Sequence, residues 1–204
     1  MCSSDLKIIV WLGSDLTHYC LAYYLQQKFD CDLYAIVDVT NKPKRFFQEQ
    51  QLVKFKKIWF FHDHIKKHHM CNTEYLSSIE KKYRLNIWQL AINERIFYRF
   101  YDFYKFTASE ILSIDEQACR LFEEIFDEVN PDFIAIKEPA FHHLEMFYRM
   151  SRAQGIKILM LSYSSLAGKS LICQESNTMD FIDNLDTVEY SKRDFSKLQN
   201  YLKS

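Results

Sequence analysis

Two short apolar runs with a helix-patterned stretch between them, PDFIAIKEP, AFHHLEMFYRMSRAQG and IKILML, occupy Pro131 to Leu161. The middle stretch closes on Gly155, one of only three glycines. This alternation predicts two parallel strands joined by a crossover helix, because parallel neighbours need a connection long enough to carry the chain back across the sheet. Upstream, Leu6 to Leu12 is nearly continuous in apolar residues and stops at Gly13, the pattern of a strand covered on both faces. Leu16, Cys20, Leu21, Tyr24, Leu25 and Phe29 then recur at helical spacing, with Ser14 or Asp15 placed to cap. Leu33 to Val39 predicts a second strand, broken by Asp38, Thr40, Asn41 and Pro43 ahead of a short helix around Phe46 to Gln51. Ile58 to Phe61 predicts a third strand.

Polar, histidine-rich residues from His62 to Asn72 predict a loop, and residues 73 to 106 an aromatic-rich helical insertion. The next helix carries the strongest local signal. Thr107 and Glu110 fit a capping box, and Ile111, Ile114, Ala118, Leu121, Phe122, Ile125, Phe126 and Val129 form its apolar stripe. After the fifth strand, YSSLAGKS reads as a turn and LICQE as a short sixth strand. The expected architecture is an α/β, Rossmann-like, open and mainly parallel sheet with helices on both faces. It spans residues 1–176, and 177–204 form a polar extension.

Length and charge narrow the classes of function. The chain has 204 residues, enough for one well-buried α/β domain. Its formal net charge of -1 supplies no global field to draw nucleic acid or an anionic membrane. Six cysteines, with no C-x-x-C pair, read as thiols in a reducing cytoplasm. The first apolar run, only about six residues, is too short for a signal sequence or membrane span. FYRFYDFYKF, Phe97 to Phe106, is dense in aromatics. Its rings either pack beneath the sheet, as large aromatics ordinarily do, or face a partner, a ligand or a membrane periphery.

In an open α/β sheet, ligands bind outside the carboxyl ends of the strands, which directs the search to the residues after each strand. WLGSDLTHY places Gly13 between the first strand and first helix, where a backbone can approach a ligand or a turn can be tight. It has neither the dinucleotide nor the P-loop glycine pattern, and no cofactor is expected. Ser14 and Asp15 share this turn. Asp15 and His18 lie one helical turn apart, spaced either for an acid–base pair or for a cap and a hydrogen-bonded histidine.

FHDHIKKHHMCN offers His62, Asp63, His64, His68, His69 and Cys71, but the spacing matches no standard zinc motif and no metal is expected. At the mouth of the sheet, His62 or His64 can act as a general base. Lys137 and Glu138 end the fourth strand, with Pro139 at a favourable first helical position. They suit sugar hydroxyls or a phosphate, or else form a surface ion pair. Ser164 and Ser165 follow the fifth strand and offer hydroxyls.

KIIVWLGSDLTHY, KEPAFHHLEMFYRMSRAQGIKILML and SYSSLAGKSLICQE together resemble the amino-terminal half of capsular and surface polysaccharide biosynthesis proteins, glycosyltransferase-like and of GT-B architecture. The resemblance covers about Leu6 to Glu175. It implies an acceptor-side domain whose second, Rossmann-like partner domain binds the nucleotide-sugar. Gly13, His64, Lys137 and Glu138 would line the cleft between them, with His18, His62 or His64 as base. The chain has no room for that second domain, so transfer would require another domain or partner chain, with nucleotide-sugar and glycan acceptor as its ligands. A non-enzymatic α/β binding or interaction module is the alternative.

Overall fold

The computed structural model describes residues 6–67, 69–99, 103–163, 170–175 and 178. Among the described residues, six strands form one sheet in the order β3-β2-β1-β4-β5-β6: β1 Lys7–Leu12, β2 Asp32–Val37, β3 Phe55–Phe60, β4 Phe133–Lys137, β5 Lys157–Tyr163 and β6 Ser170–Cys173. The first five run parallel and β6 returns antiparallel on β5. Strand order reverses between β1 and β4, with Ile8, Ile9 and Val10 paired to Phe133, Ile134 and Ala135. This is the Rossmann-like order, whose reversal opens a crevice at the carboxyl ends of the two central strands.

Alternation along β1 sorts the two faces. Ile8, Val10 and Leu12 join Leu33, Ala35 and Val37 beneath Tyr19 and Ala22 of α1 (Thr17–Lys28) and Phe47 of α2 (Asn41–Glu49). Ile9 and Trp11 face the other way with Ile36, Ile134 and Ile136. They pack under α6 (Ala108–Val129) and α7 (His142–Ala153) through Phe122, Ile125 and Phe147. Between β3 and α6 the insertion forms α3 (Thr73–Tyr83), α4 (Ile87–Ile92) and α5 (Arg95–Tyr98). The expected capping box is present: Thr107 N–H donates to Glu110 Oε2 at 2.8 Å and Glu110 N–H to Thr107 Oγ1 at 3.2 Å.

Three boundaries depart from the expectation. Strand β3 begins at Phe55 rather than Ile58, because Lys56 and Lys57 belong to it. They lie on an edge strand, where lysines guard against further pairing, and reach Asp32 at 3.1 Å and Glu128 at 2.5 Å. Helix α2 begins at Asn41, five residues early, and holds Pro43 in its first turn, where a missing N–H breaks no intrahelical bond. Pro139 is not the first residue of α7. It stays in the connecting loop, Phe141 is the N-cap in extended conformation, and the helix starts at His142. Among the described residues, no helix is long and apolar enough to cross a membrane.

Candidate functional site

The carboxyl ends of β2, β1 and β4 carry the polar residues of the crevice. Asp38 follows β2, and its carboxylate is held between two imidazoles. His143 Nε2 donates to Oδ2 at 2.9 Å, and His62 Nε2 stands 3.0 Å from Oδ1, off the line of a hydrogen bond. These three side chains arrive from separate elements: the end of β2, the 3-10 turn Phe61–Asp63 after β3, and the first turn of α7. Burial alone would raise the Asp38 carboxyl, but the His143 hydrogen bond and the two close imidazoles outweigh it and hold the group well below the usual carboxylate range.

The pairing is asymmetric. The His143 side chain is buried, stacked on Phe61 with ring centroids 4.7 Å apart and flanked by Trp11 and Phe141. That of His62 remains 44% exposed and presents its ring to solvent, while the Asp38 side chain between them is 13% exposed. An exposed imidazole beside a largely buried carboxylate is a suitable general base, because the carboxylate stabilises the imidazolium that forms.

At the neighbouring β1 end, Gly13, Asp15 and Lys137 converge. A Cβ placed on Gly13 would stand 3.4 Å from Lys137 Nζ and 3.7 Å from Asp15 Oδ2. Asp15 Oδ1 accepts the Thr17 N–H at 3.2 Å, closing the turn that starts α1. His18 is buried, and its ring Nε2 has no hydrogen-bond partner. Burial lowers its pKa, favouring the neutral imidazole over the cation an acid would need. Ser14 is exposed. On the far side of β4, Glu138 accepts the Ser162 hydroxyl at 3.3 Å.

His64 is half-buried and closes the 3-10 turn through its own N–H to the Phe61 carbonyl, one residue past Asp63. Ser164 and Ser165 lie outside the described residues. The histidine-rich segment does not gather: His62 turns to Asp38, Asp63 to Lys44 at 2.6 Å and His69 to Glu116 at 3.4 Å. Among the described residues no three His, Cys, Asp or Glu side chains are placed to hold a metal ion.

Sequence reasoning thus placed His62 at the crevice but missed its partners. Asp38 read as a strand breaker, and His143 was not singled out. The available signal was position, since both follow a parallel strand at its carboxyl end.

Comparison with known proteins adds little to this geometry. No protein-family model matches the chain, and no curated protein matches it. Solved structures similar to it include a UDP-N-acetylglucosamine 2-epimerase, at 12% identity and a TM-score of 0.41 over 80% of this chain and 35% of that one. A pantothenate synthetase from Thermus thermophilus follows at 10% and 0.39, over 84% and 60%. A tryptophanyl-tRNA synthetase from Campylobacter jejuni stands at 8% and 0.38, again over 84% and 60%. The chain therefore spans about a third to three fifths of the length of these proteins. The strand order, not these likenesses, defines it as a Rossmann-like α/β domain.

Proposed function

We propose that the chain is the acceptor-side, amino-terminal half of a cytoplasmic, glycosyltransferase-like protein of surface polysaccharide biosynthesis. A second Rossmann-like domain or partner chain would bring the nucleotide-sugar. The observation that carries this reading is the exposed His62 imidazole, its Nε2 3.0 Å from the largely buried Asp38 carboxylate at the sheet's carboxyl edge. Such a pair can take the proton from an acceptor hydroxyl as that oxygen attacks the sugar carbon and the diphosphate departs. Lys137 and Asp15 beside Gly13 supply a donor and an acceptor for further hydroxyls of the same glycan. A side chain larger than a methyl on Gly13 would intrude between them.

Ligand-observed resonance of the purified chain against free glycans and nucleotide-sugars tests the reading. Glycan binding without nucleotide-sugar binding is expected. His62→Ala should weaken it about threefold to tenfold, the worth of one hydrogen bond. Nucleotide-sugar binding alone would reverse the assignment of halves.

A second reading, the protein-interaction module, is favoured by Phe103 and Tyr104, which are 88% and 53% exposed within the aromatic stretch. Exposed neighbouring aromatics of this kind are common at contact surfaces. Absence of binding to either ligand class would favour this reading.

A further inference from the structure

The insertion and the crevice meet at one pair of adjacent histidines. His142 and His143 open α7 with their rings nearly perpendicular, 84° between planes and 5.4 Å between centroids. His143 turns toward Asp38, while His142 turns toward the insertion and α6. There Glu94, between α4 and α5, accepts both the His142 backbone N–H at 2.8 Å and the ring Nδ1–H at 3.1 Å through the same oxygen, Oε2. Its other oxygen accepts the Ile96 N–H at 3.0 Å. On the opposite side of the ring Asp115 of α6 stands 3.0 Å from His142 Nε2, in an ionic contact off the line of a hydrogen bond. The Glu94, His142 and Asp115 side chains are all nine-tenths buried or more, and Phe97 lies on the ring at 4.8 Å.

Helix α7 has no side-chain cap from its own N-cap residue Phe141. Glu94 therefore performs from a distance what a capping Ser or Asp does locally, satisfying a first-turn N–H and placing a negative charge at the positive end of the helix. Two adjacent helical residues project about 100° apart, so fixing the direction of one fixes the other. Breaking the Glu94 contact would leave the buried Nδ1–H and a backbone N–H without partners, a cost relieved by fraying or turning the first turn.

We propose that Glu94 is a positioning residue for the Asp38–His62 pair, the helical insertion fixing the first turn of α7 through Glu94–His142 and thereby the His143 imidazole that holds Asp38. The proposal rests on the reading of that pair as the general base. Its geometric content is tested without any ligand, so that a failed positioning role and a failed functional reading are told apart.

The test is nitrogen-15 resonance of the histidine rings in the wild-type chain, Glu94→Ala, Glu94→Gln and Asp38→Asn. In Glu94→Ala the His143 ring should lose its single Nε2–H tautomer. The His62 ring signals should move in the direction that Asp38→Asn moves them. Glu94→Gln removes the charge and keeps an acceptor, and should retain the His143 tautomer. Should Glu94→Ala not fold, Glu94→Asp, shorter by one methylene, carries the same comparison. Unchanged His143 and His62 signals in a folded Glu94→Ala or Glu94→Asp would overturn the proposal. So would a Glu94→Gln shift as large as that of Ala, which would mark a long-range field rather than positioning.

Discussion

His143 Nε2 lies 2.9 Å from Asp38 Oδ2, joining the first turn of α7 to the end of β2 across 105 residues of sequence. Because His143 is stacked and buried while His62 is exposed on the same carboxylate, the two imidazoles contribute unequally to the fold. Removing a buried donor leaves its acceptor unsatisfied and costs about 1–3 kcal/mol, whereas an exposed substitution stays within about 0.5 kcal/mol. His143→Ala should therefore destabilise measurably in urea unfolding, and His62→Ala should not. Equal costs would mean that Asp38 is held as firmly from the solvent side as from the core.

The Glu94–His142 contact predicts how stability depends on pH. Although burial works against the imidazolium, Asp115 and Glu94 raise the His142 pKa from 6.5 to about 9. A group raised in the folded state stabilises fully below its unfolded value, and that contribution disappears as pH rises through the folded one. Glu94 is the reverse case. Burial raises its carboxyl, but the His142 ring and backbone donors bring it from 4.5 down to about 2, so its contribution is present above the unfolded value and lost as pH falls. Asp38 is depressed likewise. Through His142, urea midpoints should decline on the alkaline side, from about pH 6.5 toward pH 9. His142→Asn should abolish that alkaline arm specifically. A decline that persists in the variant would assign it to another group.

How far the fold could be read from the chain follows from where its signals are local. Strand β1 and helix α6 were legible because one is an uninterrupted apolar run and the other carries a capping box before an apolar stripe. The start of β3 was hidden by Lys56 and Lys57, whose charges suit an edge strand but break an apolar pattern. The start of α7 was misread at Pro139 because its actual cap comes from Glu94, 48 residues away. The crevice shows the same limit. His62 could be picked out as a histidine after a strand, but its pairing with Asp38 and His143 depends on strand order, which brings β2, β3 and β4 to one edge.

The core beneath α6 gives a stability prediction independent of function. Phe122 is fully buried, with its ring 6.1 Å from Trp11, 6.0 Å from Phe61 and 5.0 Å from Phe147. Phe122→Ala removes a ring from this cluster, and the surrounding strands cannot close the gap. The expected loss is about 3–5 kcal/mol in denaturant unfolding. A loss below about 1 kcal/mol would mean that the cluster repacks, contrary to a single close-packed core.

Gly13 separates a turn requirement from a ligand requirement. Its backbone does not adopt the left-handed conformation that favours glycine, and a Cβ would meet only the ammonium end of Lys137 and the Asp15 carboxylate at contact distance. Because a lysine tip can shift at little cost, Gly13→Ala should change stability by less than about 1 kcal/mol, and the smaller unfolded-state entropy can even favour it. Gly13→Leu is different, since a full side chain beyond the Cβ would displace Lys137 from the crevice. Thermal unfolding and glycan titration of the two variants should therefore diverge: Gly13→Ala near wild type in both, and Gly13→Leu folded but impaired in binding. Strong destabilisation by Gly13→Ala alone would show that the β1–α1 turn itself demands glycine, and the place of Gly13 in ligand approach would fall with that result.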